Sequence, residues 1–175
     1  MTFKLLLVSG AVLVVALPSA RAQSRAHSRT GAPSPHLIGK FEEWRSATHQ
    51  EAGQQVCYAF TRASTSSPAL PGRGDVVLTV TQRPALPVAV AISAGFAYPA
   101  NSEVTIAVEG TTVPFYTANR SAFAREGRAA VAAFARGRQA VAKGPGPRLT
   151  SVTDVFGLRG FKEAYAAINR ACSIR

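Results

Sequence analysis

Asp75-Val76-Val77-Leu78-Thr79-Val80-Thr81-Gln82-Arg83 carries the period of a β-strand, and Pro84 and Pro87 follow it. Val76, Leu78 and Val80 alternate with Val77, Thr79 and Thr81, so an extended chain shows one apolar face and one partly hydroxylated face. β-Branched side chains favour the pleat, and the prolines end the run by removing backbone donors. Upstream, Phe41 to His49 carries Trp44 and reaches the polar turn Gln50-Glu51-Ala52-Gly53. Gln54 to Thr61 then returns with Val56, Tyr58 and Phe60 alternating with Cys57 and Ala59, a hairpin pattern.

Downstream, Val88 to Phe96 and Glu103 to Val108 are further strands, and Glu109-Gly110-Thr111 is a tight turn into Thr112 to Tyr116. The texture changes at Glu126. Arg128 to Arg136 is alanine-rich, with Val131 and Phe134 at i and i+3, and predicts a short helix closed by Gly137 as a C-cap. Strands are expected at Arg138 to Lys143 and Leu149 to Phe156, and a last helix at Gly160 to Ala171, where Phe161, Ala164, Tyr165 and Ile168 form one apolar stripe. About eight short strands and two short α-helices predict a mainly β fold, an antiparallel β-sandwich or partly open barrel.

Residues 1–22 read as a secretory signal: Lys4, an apolar stretch from Leu5 to Leu17, and Ala20-Arg21-Ala22 before Gln23. That stretch is shorter than the roughly 20 residues a membrane span needs, so the mature chain is expected to hold no transmembrane segment. Residues 23–40, rich in Ser, Pro and Gly, are expected to be a flexible leader, and 41–175 a single domain. Cleavage after Ala22 removes Lys4 and Arg21 from 20 basic residues, leaving 18 against 9 acidic ones, a net charge of +9. The arginines are scattered, among them Arg125, Arg128, Arg136 and Arg138. Such a field favours loose association with anionic surfaces, including lipopolysaccharide, acidic lipid headgroups and nucleic acid. The expected partner is an unknown protein or an anionic envelope surface, and no nucleic-acid-binding motif is present to make nucleic acid a specific one.

Cys57 and Cys172 are the only thiols. A metal pair, reactive thiols and a disulfide are the options for them. A zinc site needs about four ligands, but His27 and His36 lie in the leader and His49 at a hairpin turn, so no metal or other cofactor is expected. Export to an oxidising compartment favours the disulfide. Those histidines are equally ill placed to serve a nucleophile, and the nine acids include no couple spaced for acid/base work, which leaves a hydrolase as a distant alternative. Arg73-Gly74-Asp75 has the form of an adhesion tripeptide, with Arg73 and Asp75 as candidate binding residues. It equally fits a turn entering a strand, where glycine permits the bend and aspartate caps backbone donors. Asn119-Arg120-Ser121 has the form of a glycosylation acceptor, a match read as coincidence.

Read together, several blocks resemble the invasion-associated locus B family of exported bacterial proteins. They are Trp44; Val56-Cys57-Tyr58; Arg73-Gly74-Asp75-Val76 leading to Val80-Thr81-Gln82-Arg83-Pro84; Ala94-Gly95-Phe96-Ala97-Tyr98; and Thr153-Asp154-Val155-Phe156-Gly157-Leu158-Arg159-Gly160-Phe161 with Ala164-Tyr165, Ile168 and Ala171-Cys172. Two departures stand out: Phe123 in place of the family's second tryptophan, and Gly144-Pro145-Gly146-Pro147 in place of its Ser, Arg and Gly-rich turn. The resemblance implies an exported, mainly β domain, linked in pathogens to host-cell entry, with no known catalysis. The expected function is a non-enzymatic binding or envelope accessory protein, periplasmic, or secreted or associated with the outer membrane. An adhesin acting through Arg73-Gly74-Asp75 is the alternative.

Overall fold

The structure, a computed structural model, describes residues 34–173. The expected signal segment, His27 and residues 23–33 of the leader lie outside them. The strands are β1 (His36–Phe41), β2 (Trp44–Glu51), β3 (Gln54–Arg62), β4 (Thr65–Ser67), β5 (Val77–Gln82), β6 (Ala89–Ser93), β7 (Glu103–Val108), β8 (Thr111–Ala118), β9 (Ser121–Ala124), β10 (Gln139–Pro145) and β11 (Ser151–Gly157). Helix α1 (Gly127–Phe134) stands between β9 and β10, and α2 (Phe161–Ala171) closes the chain.

All pairings are antiparallel, in one sheet of order β1-β2-β3-β5-β6-β9-β8-β7-β10-β11-β4. The sheet curls because the chain leaving β3 crosses to its far end. Ser64 donates its backbone N–H to Val155 O at 2.8 Å, and β4 then pairs with β11 from Thr65↔Val155 to Ser67↔Thr153. The result is a partly open barrel, unclosed because β3 and β11 themselves form no ladder among the described residues.

Three strands exceed the eight expected, and each is hard to read for a physical reason. β1 takes in 36–40 of the expected leader; only Leu37 and Ile38 are apolar there, and pairing with β2 supplies the order that composition hides. β4 is three exposed residues, and β9 has four.

Alternation fills the interior. Leu78 and Val80, Val90 and Ile92, Val104 and Ile106, and Val113 and Phe115 face it from successive strands, all nearly inaccessible. Four buried strand positions are polar, Ser46, Thr61, Gln82 and Asp154, and each has a partner. Thr61 Oγ1 donates to Glu43 O at 2.8 Å. Gln82 donates its amide to Tyr165 Oη at 3.0 Å and Asn169 Oδ1 at 2.8 Å on α2. Asp154 meets an arginine described below.

Helix α2 lies across β2 and β3, burying Phe161, Ala164, Ala167 and Ile168. Its neighbours also anchor its backbone: Ser46 Oγ donates to Ala164 O at 3.0 Å, and Gln55 Nε2 to Ala171 O at 2.9 Å. Gly160 opens the helix in the left-handed region at φ 81°, and a Cβ there would stand 2.1 Å from Phe41 O, so only glycine fits this corner. Helix α1 ends at Phe134 with Ala135 as its cap, not Gly137. Gly137 is needed for closeness rather than for a left-handed turn, since its Cβ would stand 2.2 Å from the Val108 side chain.

Phe161 centres an aromatic cluster, with Trp44 at 4.9 Å, Phe134 at 5.6 Å and Tyr165 at 5.7 Å between ring centroids. Phe161→Ala is expected to cost about 3–5 kcal/mol, as large cavities in aromatic cores do. Lys162→Ala, on the exposed side of the same turn, should stay within about 0.5 kcal/mol. Urea denaturation compares the two, and equal stabilities would remove the cluster from its role.

Candidate functional site

The tripeptide Arg73-Gly74-Asp75 lies in the loop that enters β5, and its two charged ends do different things. The Arg73 guanidinium turns inward. It donates from Nε to Ala94 O at 2.8 Å, and from its two terminal nitrogens to Asp154 Oδ1 and Oδ2 at 2.8 and 2.7 Å. Its Cζ also lies 4.9 Å from the centre of the Phe96 ring. The Arg73 and Asp154 side chains are 6% and 7% exposed, so the pair is a buried, bidentate bridge between the loop and β11. Gly74 N–H donates to Gly95 O at 3.3 Å. Gly95 has φ 76°, and a Cβ on it would stand 2.4 Å from Gly74 O, so the two loops meet through their glycines.

Asp75 is on the surface, its side chain 67% exposed, in a bridge to Arg62 at 3.0 Å. An adhesion receptor needs both ends of the tripeptide projecting together, and Arg73 is committed inside the protein. Nor do Asp75 and Asp154 face a common cleft. Asp75 lines a shallow depression with Arg62, while Asp154 borders a space of ≈ 10 Å³, too small for more than a water.

Tyr98 adjoins this bridge, its ring 5.2 Å from Phe96. Burial first, and then the Asp154 carboxylate, push its phenol up to about 12 from 10.0, with Arg73 opposing. The folded state therefore holds the phenolic proton more tightly than the unfolded one. Its contribution is complete below pH 10 and is lost as pH rises toward about 12. Discounted for partial exposure, the loss is on the order of 1–2 kcal/mol. Tyr98→Phe should lose less stability over that window than the parent protein. Parallel pH curves from denaturant titrations would rule the effect out.

The four arginines expected to form a basic surface divide. Arg125 pairs with Glu103 and lies over the Tyr116 ring at 5.9 Å, and Arg138 pairs with Glu109 at 4.0 Å. Arg128 and Arg136, on and just beyond α1, are exposed and have no acidic partner among the described residues. The remaining bridges occupy Glu42, Glu43 and Glu51 as well, so most of the carboxylates are already engaged, while Lys40, Arg45, Lys143 and Arg170 have no acidic partner among the described residues.

Cys57 and Cys172 form a disulfide with Cα atoms 6.0 Å apart. His36 lies on β1, and the ring of His49 meets Tyr58 edge-on at 5.5 Å. Among the described residues no three His, Cys, Asp or Glu gather as a metal site would require, and no helix is long and apolar enough to cross a membrane.

A solved structure, that of invasion associated protein B from Bartonella henselae, has a similar fold. The TM-score is 0.59 over 77% of this chain and 96% of that one, at 14% sequence identity. The likeness is one of fold. It is the kind of fold that the resemblance to the invasion-associated locus B family implied. No protein-family model matches the chain, nor does any curated protein.

Asp154 is a site residue whose place in the sequence carries a readable signal. The alternation of Val152, Asp154 and Phe156 turns a carboxylate to the same side as two buried apolar residues. That is the signature of a buried partner.

Proposed function

We propose that this chain is an exported, non-enzymatic accessory protein of the bacterial envelope, periplasmic or bound at its surfaces, with a role in host-cell invasion. It works by holding to an anionic partner through cations that its own carboxylates leave unpaired. The observation that carries this reading is the one-sided use of charge: seven of the nine acids are taken up in internal bridges, whereas Arg128, Arg136, Lys143 and Arg170 face solvent with no acidic partner among the described residues. The invasion link is supported by the name of the protein whose fold this one shares. The adhesin reading loses its main support because the Arg73 guanidinium already has Asp154 and Ala94 O as partners.

Retention of the mature protein on vesicles containing phosphatidylglycerol tests the proposal. Exposed charges are screened over about 8 Å at 0.15 M salt, so retention should be strong at low salt and mostly gone well above that. Failure to bind at low salt would refute it.

A further inference from the structure

Leu37, Leu86 and Tyr116 are the exposed large hydrophobic residues of the described part, at 57%, 58% and 45%. Leu37 stands alone on β1. Leu86 and Tyr116 border one surface.

Between Tyr116, Phe123 and Arg125 lies a depression of ≈ 490 Å³; between Leu86, Val131 and Tyr165 lies another of ≈ 500 Å³. Pro87, Val88 and Arg128 line both, so the two run together as one groove beside the start of α1. Its floor is fixed, because α1 begins against Val88 so closely that a Cβ on Gly127 would stand 2.0 Å from Val88 O. Glu126 is the only carboxylate lining the groove, against Arg125 and Arg128, and Arg128 lacks an acidic partner among the described residues.

From this arrangement we infer that the groove is the face by which the protein docks on an anionic phospholipid bilayer. The inference rests on the surface-charge reading above and gives it an address. A leucine on a loop and an amphipathic tyrosine suit the boundary between headgroups and acyl chains, where an apolar body can enter while a polar tip stays wet. Arg128, midway along the groove, meets a lipid phosphate, while Arg125, already paired with Glu103, packs over the Tyr116 ring at the groove's edge. Charge complementarity selects the occupant: an apolar groove with unpaired arginine at its centre matches acyl chains under phosphate better than an uncharged partner.

Co-sedimentation of the mature protein with phosphatidylglycerol–phosphatidylcholine vesicles tests this. Leu86, Tyr116 and Leu37 are exposed, so replacing them leaves the core intact. Leu86→Ser and Tyr116→Ser should each weaken partitioning about five- to tenfold, by the same factor at low and high salt, since lost apolar burial is not screened. Leu37→Ser should change it less than about twofold, and Arg128→Gln should weaken it about fivefold at low salt only. If Leu86→Ser behaves like Leu37→Ser while binding by the parent stays salt-sensitive, the groove is not the docking face and the surface-charge reading stands. No binding by the parent removes both. A concentration-dependent dimer that Leu86→Ser dissolves would assign the groove to a second copy of the chain and overturn the inference.

Discussion

Asp154→Ala should destabilise the protein by about 3–5 kcal/mol, because it strands the Arg73 charge in a site where almost no water reaches it. For a domain of this size that lowers the melting temperature by roughly 10–20 °C. Three donors of the guanidinium are involved, two of them to the deleted carboxylate and one to Ala94 O. Replacing both partners with apolar residues, Arg73→Met with Asp154→Leu, should recover most of the loss, since a buried pair contributes little net stability beyond well-packed hydrophobic side chains. Asp75→Ala breaks only an exposed bridge to Arg62 and should cost under about 1 kcal/mol. Thermal denaturation followed by circular dichroism ranks the variants, and Asp154→Ala melting with Asp75→Ala would show the bridge to be idle.

Replacing Cys57 and Cys172 by serine should cost about 4–5 kcal/mol in the chain-entropy view. The bond joins residues 115 apart and restricts the unfolded chain accordingly. Melting should fall by roughly 15 °C, less where the hydrogen bonds of Ser46 and Gln55 to α2 keep the helix seated. Either single replacement should match the double one, because each abolishes the same bond. An unchanged melting temperature would mean that α2 is held by its packing alone. Intact-mass analysis with thiol alkylation of the non-reduced protein checks the bond itself, and two alkylated cysteines would refute it.

The strand period was legible wherever one face was apolar for five or more residues. β7 runs Glu103–Val108 as its alternation predicts, and Glu109-Gly110 turns it into β8 with both residues at positive φ. β1, β4 and β9 were not legible, because a short or half-polar strand is ordered by the ladder it joins rather than by its own composition. The disulfide was legible from the expected export and from the lack of any other thiol. The buried bridge was half legible: Asp154 stands at an inward position, but Arg73 is 81 residues away, and its tripeptide pointed to a surface role instead. The groove had no sequence signal, since Leu86, Tyr116 and Arg128 come from a loop, a strand and a helix that meet only in the fold.

Binding of two variants to the same anionic vesicles separates distributed charge from the tripeptide. Arg128→Gln combined with Arg136→Gln should weaken retention at low salt by about tenfold or more, from roughly 1 kcal/mol for each cation near the surface. Asp75→Ala should leave it unchanged or slightly stronger, having removed an acid. If Asp75→Ala abolished binding while the paired arginine replacements changed nothing, the function would lie in Arg73-Gly74-Asp75 and not in the unpaired cations.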